Sequence, residues 1–192
     1  MDHSAMIDLR LSESRKAIDA LAAQKARVNM AIELLTNTLK AGGTIFTCGN
    51  GGSAAEALHL AEELTGRYKI NRAALRAICL CADPTALTCI ANDFGFEQVF
   101  ARQLEALGRA GDLLVVFSTS GKSPNLLRVL EVAKRLNMST LGLLGRDGGP
   151  ALAHFTHALV IDGVDGGAIQ EAHQMIMHIL CEACEHFSAP VR

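Results

Sequence analysis

Apolar residues in the first forty positions recur at the spacing of a helix face. Ala17, Leu21, Val28, Ile32 and Leu35 fall three, four or seven apart, and Gly42-Gly43 ends the run. This predicts helical structure over residues 6–41. Beyond it the pattern changes. Short apolar runs at 44–48, 76–81, 113–117, 140–144 and 158–161 alternate with longer segments of helical period. Those segments predict helices at 53–65, 84–107 with a break at 93–95, 123–137, 149–154 and 168–187.

Apolar runs bounded by glycines and separated by helices imply crossover connections and a parallel sheet covered on both faces. Right-handed crossovers make this a doubly wound α/β sandwich of flavodoxin-like or Rossmann-like type. The helical stretch 1–41 is an extension to that core, expected to pack on the sheet or on a partner subunit. No internal repeat, low-complexity tract or linker interrupts the chain, so residues 1–192 read as one domain.

Composition narrows the function classes. With 49% hydrophobic residues over 192 positions, the chain can bury a substantial core. A net charge of −2 and no basic stripe argue against nucleic acid as a partner. No apolar run is long enough to cross a bilayer, and the polar start MDHSAMIDLR lacks a signal-peptide pattern, so a cytoplasmic protein is expected. Cys48, Cys79, Cys81, Cys89, Cys181 and Cys184 sit largely in apolar surroundings and read as reduced thiols. Cys181 and Cys184 have redox or zinc-pair spacing, but no second pair accompanies them.

Two loops carry the candidate chemistry. Cys48-Gly49-Asn50-Gly51-Gly52-Ser53 lies where the first strand should end and a helix begin. Its glycines let the backbone approach an anion, and Ser53 could cap the helix. Ser118-Thr119-Ser120-Gly121-Lys122-Ser123 follows the third strand and precedes a helix opening at Pro124, offering four hydroxyls and several backbone N–H groups. Each loop alone could be a polar turn with a good N-cap; two such loops at two strand ends favour a phosphate monoester. Two named motifs are excluded. Gly49-x-Gly51-x-x-Ala54 formally fits a dinucleotide fingerprint, but no acidic residue follows about 20 positions on. Gly121-Lys122-Ser123 ends like a P-loop, yet Val116 stands where its first glycine should be.

His59 and Glu63, four apart, share a helix face, which suits joint metal ligation and equally a plain surface contact. His178 lies inside Met175-Ile176-Met177-His178-Ile179-Leu180, with Gln170 eight residues earlier on roughly the same side. A buried imidazole needs a partner, whether a core group, an interface or a ligand. His154, His157, His173 and His186 carry no such pattern and read as ordinary core or surface histidines.

Taken together, CGNGGS, HLAEELTGRY (59–68), IANDFGF (90–96), STSGKS and IQEAHQMIMHIL (169–180) resemble the phosphoheptose isomerases, enzymes of the sugar-isomerase (SIS) domain family. The resemblance runs over nearly the whole chain in order. It implies conversion of sedoheptulose 7-phosphate to D-glycero-D-manno-heptose 7-phosphate for lipopolysaccharide and other surface glycans. By that resemblance Asn50, Gly51, Gly52 and Ser53 belong to the first substrate loop, Asn92 and Asp93 contact the sugar, and Ser118, Thr119, Ser120 and Ser123 hold the phosphate. His59, Glu63, Gln170 and His178 match the ligands of one zinc ion per subunit. Glu63 and His178 also match the acid–base pair, and Glu63 and Gln170 line the substrate site. The resemblance further implies a homotetramer with active sites at subunit contacts, letting helix 168–187 reach a neighbour's loop. Asp165-Gly166-Gly167-Ala168 departs from the family pattern and Ala54-Ala55-Glu56 varies, so nothing is carried over at either.

The implied chemistry is coherent. An aldose–ketose isomerisation needs a base, an acid and a positive group for the developing oxyanion. A carboxylate, an imidazole and zinc supply these, and a glutamine ligand suits a catalytic zinc better than a structural one. The alternative is a non-catalytic SIS-domain binding protein similar to the DnaA initiator-associating protein. The presence of both Glu63 and His178 speaks against it. A sugar-phosphate-sensing regulator would need a DNA-binding domain for which the chain has no room.

Overall fold

The computed structural model describes residues 2–163 and 165–187. The elements in chain order are α1 (Ser4–Ala22), α2 (Lys25–Lys40), β1 (Ile45–Gly49), α3 (Gly52–Thr65), β2 (Ala77–Cys79), α4 (Pro84–Phe94), a 3-10 turn (Phe96–Gln98), α5 (Ala101–Leu107), β3 (Leu113–Ser118), α6 (Pro124–Arg135), β4 (Ser139–Gly145), a second 3-10 turn (Pro150–His154), β5 (His157–Ile161) and α7 (Gly166–Phe187).

The helical stretch expected over 6–41 is a pair of helices. The chain turns at Ala23 and Gln24, where the Gln24 N–H tightens onto the Leu21 carbonyl at 2.8 Å and its side chain donates to the Val160 carbonyl at 2.9 Å. The apolar period runs on through the turn because Leu21 and Val28, seven apart, are both buried. Both helices pack on α7 and β5 of their own chain and leave Met6, Ile7, Leu9, Leu11 and Met30 exposed.

Five parallel strands form the sheet in the order β2-β1-β3-β4-β5, the flavodoxin-like arrangement. Side chains alternate between its faces. Leu113, Val115 and Phe117 enter a core with α1, α2, α3 and α7; Leu114 and Val116 enter the opposite core with α4, α5 and α6. Burial on both faces is why these strands read as continuous apolar runs. Each buried side chain of leucine size contributes roughly 1.5–3 kcal/mol. Asp83 caps α4 by accepting from Thr85 and Ala86 N–H at 2.8 and 3.1 Å. Gly95, at φ 91°, ends that helix where a break was expected.

Cys48, Cys79, Cys181 and Cys184 are buried, Cys81 is half-buried and Cys89 is exposed, and none of the six is in a disulfide. Burial pushes the Cys184 thiol up to about 12 and Cys181 up as well, so the pair is held as neutral thiols. No helix among the described residues is long and apolar enough to cross a membrane.

Candidate active site

The strand order reverses direction between β1 and β3, and in open parallel sheets the crevice beyond the carboxyl ends at that point is where ligands sit. The CGNGGS loop leaves β1 and the STSGKS loop leaves β3, so the two loops singled out by sequence flank this position. Asn50, Gly51, Ser123 and Asn125 line a cavity of about 450 Å³ between them, closed on one side by Phe96 and Glu97. That volume lies in the range of small-molecule sites.

Loop conformation is set locally. Ser118 Oγ accepts the Gly121 N–H at 3.0 Å, folding STSGKS back on itself. Gly121 is at φ +60, and a Cβ there would lie 1.9 Å from the Gly148 carbonyl oxygen, so only glycine lets this loop rest against the Gly148-Gly149 turn. Thr119, Ser120 and Ser123 are half-buried at the rim. One expectation needs correction. Ser53 does not cap α3: Gly51 occupies the N-cap, and Ser53 is buried behind it. Ser118 is buried as well; its Oγ accepts the Gly121 N–H and keeps its own O–H as a donor.

The second group of candidates lies between α3 and α7. His59 Nε2 is 3.2 Å from Glu63 Oε1 and 3.8 Å from Glu62 Oε1. The His178 ring meets the His59 ring edge-on, centroids 5.4 Å apart. Gln170 lies over Gly52, where a Cβ would come within 2.4 Å of its amide nitrogen, so this glycine is needed for helix α7 to place that side chain. Tyr68 stacks on His178 at 5.5 Å and 19°. Its segment is pinned by Glu185, whose carboxylate accepts the backbone N–H of Tyr68, Lys69 and Ile70 at 3.2, 2.8 and 3.0 Å. Burial, with His59 nearby, lowers the His178 pKa from its ordinary value, favouring the neutral imidazole.

His59, Glu63 and His178 therefore come together within one chain. Within the chain α7 packs along α3, because both bury their apolar faces on the same side of the sheet. The donor set suits a divalent cation such as zinc. The His59 imidazole meets the Glu62 and Glu63 carboxylates with the His178 ring edge-on beside it, and the 3.2 Å between His59 and Glu63 is close to the ~3.3 Å edge of a tetrahedron with zinc-length bonds. Asn92 and Asp93 are not brought to this group. They lie exposed at the end of α4, bonded to each other at 2.7 Å. No residue of the His59, Glu63, Gln170, His178 set lines the cavity between the loops.

Several residues near these groups went unread in the sequence. Glu62 joins His59 and Glu63 in a possible metal-binding cluster and is exposed; its i+3 spacing from His59 was the available signal. Gln174 hydrogen-bonds Nδ1 of His59, and lies one turn from both Gln170 and His178. Asn125 pairs with Asn50. Asp165, in the stretch that departs from the family pattern, accepts the Ala168 N–H at 2.8 Å, and Arg10 of α1 ties Asp165 to Glu171.

Comparisons with known proteins agree with this geometry. The SIS domain model matches residues 11–145. Phosphoheptose isomerase 1 of Campylobacter jejuni is 49% identical over 177 residues, covering 92% of this chain and 95% of the relative. Among solved structures, the phosphoheptose isomerase of Neisseria gonorrhoeae superposes with a TM-score of 0.89 at 37% identity, over 96% of this chain and 100% of that one. A phosphoheptose isomerase from Francisella tularensis gives 0.92 at 32% identity, over 97% and 100%. The chain belongs to the phosphoheptose isomerases, sugar-phosphate isomerases of the SIS-domain family.

Proposed function

We propose that this protein interconverts sedoheptulose 7-phosphate and D-glycero-D-manno-heptose 7-phosphate, the first step toward nucleotide-activated heptose for lipopolysaccharide or other surface glycans. The observation that carries the reading is the meeting of His59 and Glu63, on the helix that leaves the first substrate loop, with His178 of α7.

In this reading Thr119, Ser120 and Ser123, with the N–H groups of the STSGKS loop, hold the phosphate, and Ser118 shapes that loop. Asn50, Gly51 and Gly52 present backbone to the sugar, Ser53 supports them from behind, and Gln170 reads a hydroxyl. Asn92 and Asp93 contact the sugar from a subunit boundary. Glu63 and His178 move the protons. One leaves C1 of the ketose and one is delivered to C2, while the O1 hydroxyl proton is transferred to O2, so the enediolate collapses to the aldose with no net change in composition. The lowered pKa of His178 favours its neutral imidazole, the form that can accept a proton. His59, Glu63, Gln170 and His178 would hold one zinc ion, which supplies positive charge for the developing oxyanion.

We infer a homotetramer with sites shared between subunits. What supports it is that the cavity between the loops and the metal-ligand set have no residue in common within one chain, and that Met6, Ile7, Leu9 and Leu11 leave an apolar outer face on α1. A cytoplasmic location follows from the pathway. The deciding experiment is an isomerase assay with sedoheptulose 7-phosphate, with and without chelator. Absence of turnover by zinc-loaded protein would sink the reading and leave the non-catalytic SIS-domain alternative.

A further inference from the structure

Asn50 carries a side chain that the family resemblance aims at the sugar, yet most of its hydrogen-bonding capacity is engaged elsewhere. Asn50 Nδ2 donates to Asn125 Oδ1 at 2.9 Å, and Asn125 Nδ2 donates to Asn50 Oδ1 at 2.8 Å. Each carboxamide thus gives one N–H and its oxygen to the other, leaving one N–H and one lone pair. Asn125 is the second residue of α6 and only 2% exposed, so its amide is fixed by the core on which α6 packs.

The position of this pair gives it a task. The β1–β3 ladder runs as far as Gly49 opposite Phe117 and then stops. Beyond that point the two loops diverge, each leading to its own helix, and no further backbone pairing joins them among the described residues. The Asn50–Asn125 pair is the bond that crosses this gap, and both residues line the cavity it spans. A reciprocal amide pair has two-bond geometry, so it sets orientation as well as separation. Moving Asn50 would carry Gly51 and Gly52 with it, because Ser53 and Ala54 N–H are bonded to the Asn50 and Gly51 carbonyls at 3.1 Å each.

We propose that Asn125 is a positioning residue for the sugar phosphate: acting through Asn50, it fixes the spacing of the two substrate loops. Ligand contact at this loop falls to the backbone N–H groups and the one N–H left on Asn50. This rests on the isomerase reading above.

The test is a double-mutant cycle with Asn50→Ala, Asn125→Ala and the pair, measured as KM and kcat for sedoheptulose 7-phosphate and as its Kd by calorimetry. Each single change is expected to raise KM and Kd by roughly 5- to 20-fold, the loss of two neutral hydrogen bonds. The rise in KM and Kd should exceed any fall in kcat, whereas a loss of folded protein would lower kcat and leave KM unchanged. The double variant should be no worse than the poorer single one. Multiplying effects would show that the two residues act separately and overturn the proposal, as would a wild-type KM and Kd in Asn125→Ala. Should the alanine variant fold poorly, Asn125→Asp keeps the shape, retains the bond from Asn50 Nδ2 and removes the reverse one. It should show an intermediate KM that depends on Asn50 being present, and a KM unaffected by Asn50→Ala would equally overturn it. Wild-type protein that binds the sugar phosphate without turnover would sink the isomerase reading, and the cycle would still be read in Kd.

Discussion

Gln174 holds its carboxamide against Nδ1 of His59, from a position on α7 one turn after Gln170 and one turn before His178. The contact fixes the imidazole so that Nε2 faces Glu63 at 3.2 Å. The amide nitrogen faces Nδ1 here; with the carboxamide turned over, its oxygen accepts the Nδ1 N–H and leaves the lone pair on Nε2, the form a metal requires. Gln174→Leu is therefore expected to weaken zinc binding by roughly 10- to 100-fold in competition with a chromophoric chelator, while Gln174→Glu retains it. Unchanged affinity in the leucine variant would show that His59 needs no such support.

Glu63→Gln and His178→Gln should each lower turnover by roughly 10²- to 10⁴-fold, the scale of a lost acid–base group. Compared without zinc, the variants' thermal midpoints should lie close to that of the wild-type protein, since both side chains are partly exposed and neither fills the core. Strong activity in either variant would contradict the assigned proton transfers. Circular dichroism on the same samples separates lost chemistry from lost fold.

Exhaustive chelation is expected to abolish turnover and to lower the thermal midpoint, because an ion bound only by folded protein stabilises it by mass action. Adding zinc back should restore both. Full activity after chelation would remove the metal and leave the isomerase assignment standing.

The sheet was legible because its strands are buried on both faces, which makes runs such as the one ending at Phe117 continuous and apolar. The loops were legible because glycine and hydroxyl residues cluster at two strand ends. What local pattern could not carry is which distant side chains meet. His59 and His178 come together only because α3 and α7 share one face of the sheet. The Asn50–Asn125 and Gln174–His59 contacts have the same origin, since an asparagine or glutamine is ambiguous until its neighbour is known. Ser53 shows the opposite failure. Its position suggested a cap, but Gly51 at φ 58° takes the N-cap and turns the serine inward.

A last prediction concerns Glu56 and His173, which meet across the same helix pair at 3.9 Å. Both carboxylate oxygens and both ring nitrogens are buried without a hydrogen bond of normal geometry, Ser53 and the Leu144 backbone being the polar groups nearest to help. Burial raises Glu56 from 4.5 to about 7 and lowers His173 from 6.5 to about 4. For Glu56 the folded state binds the proton more tightly than the unfolded chain, so its contribution is present below pH 4.5 and is lost as pH rises to about 7. For His173 the unfolded chain binds the proton more tightly, so its contribution is present above pH 6.5 and is lost as pH falls to about 4. Between pH 4.5 and 6.5 the two slopes oppose each other, and the wild-type protein should be nearly indifferent to pH from this source. Removing one partner exposes the other. Glu56→Gln should gain stability as pH rises through that window, and His173→Gln should lose it, each by up to about 1.4 kcal/mol per pH unit. Urea unfolding of the three proteins at pH 4.5, 5.5 and 6.5 measures this directly. Parallel stability curves for the two variants would mean that the carboxyl and the imidazole titrate as they do in the unfolded chain, and that the α3–α7 seam is wet where the structure has it dry.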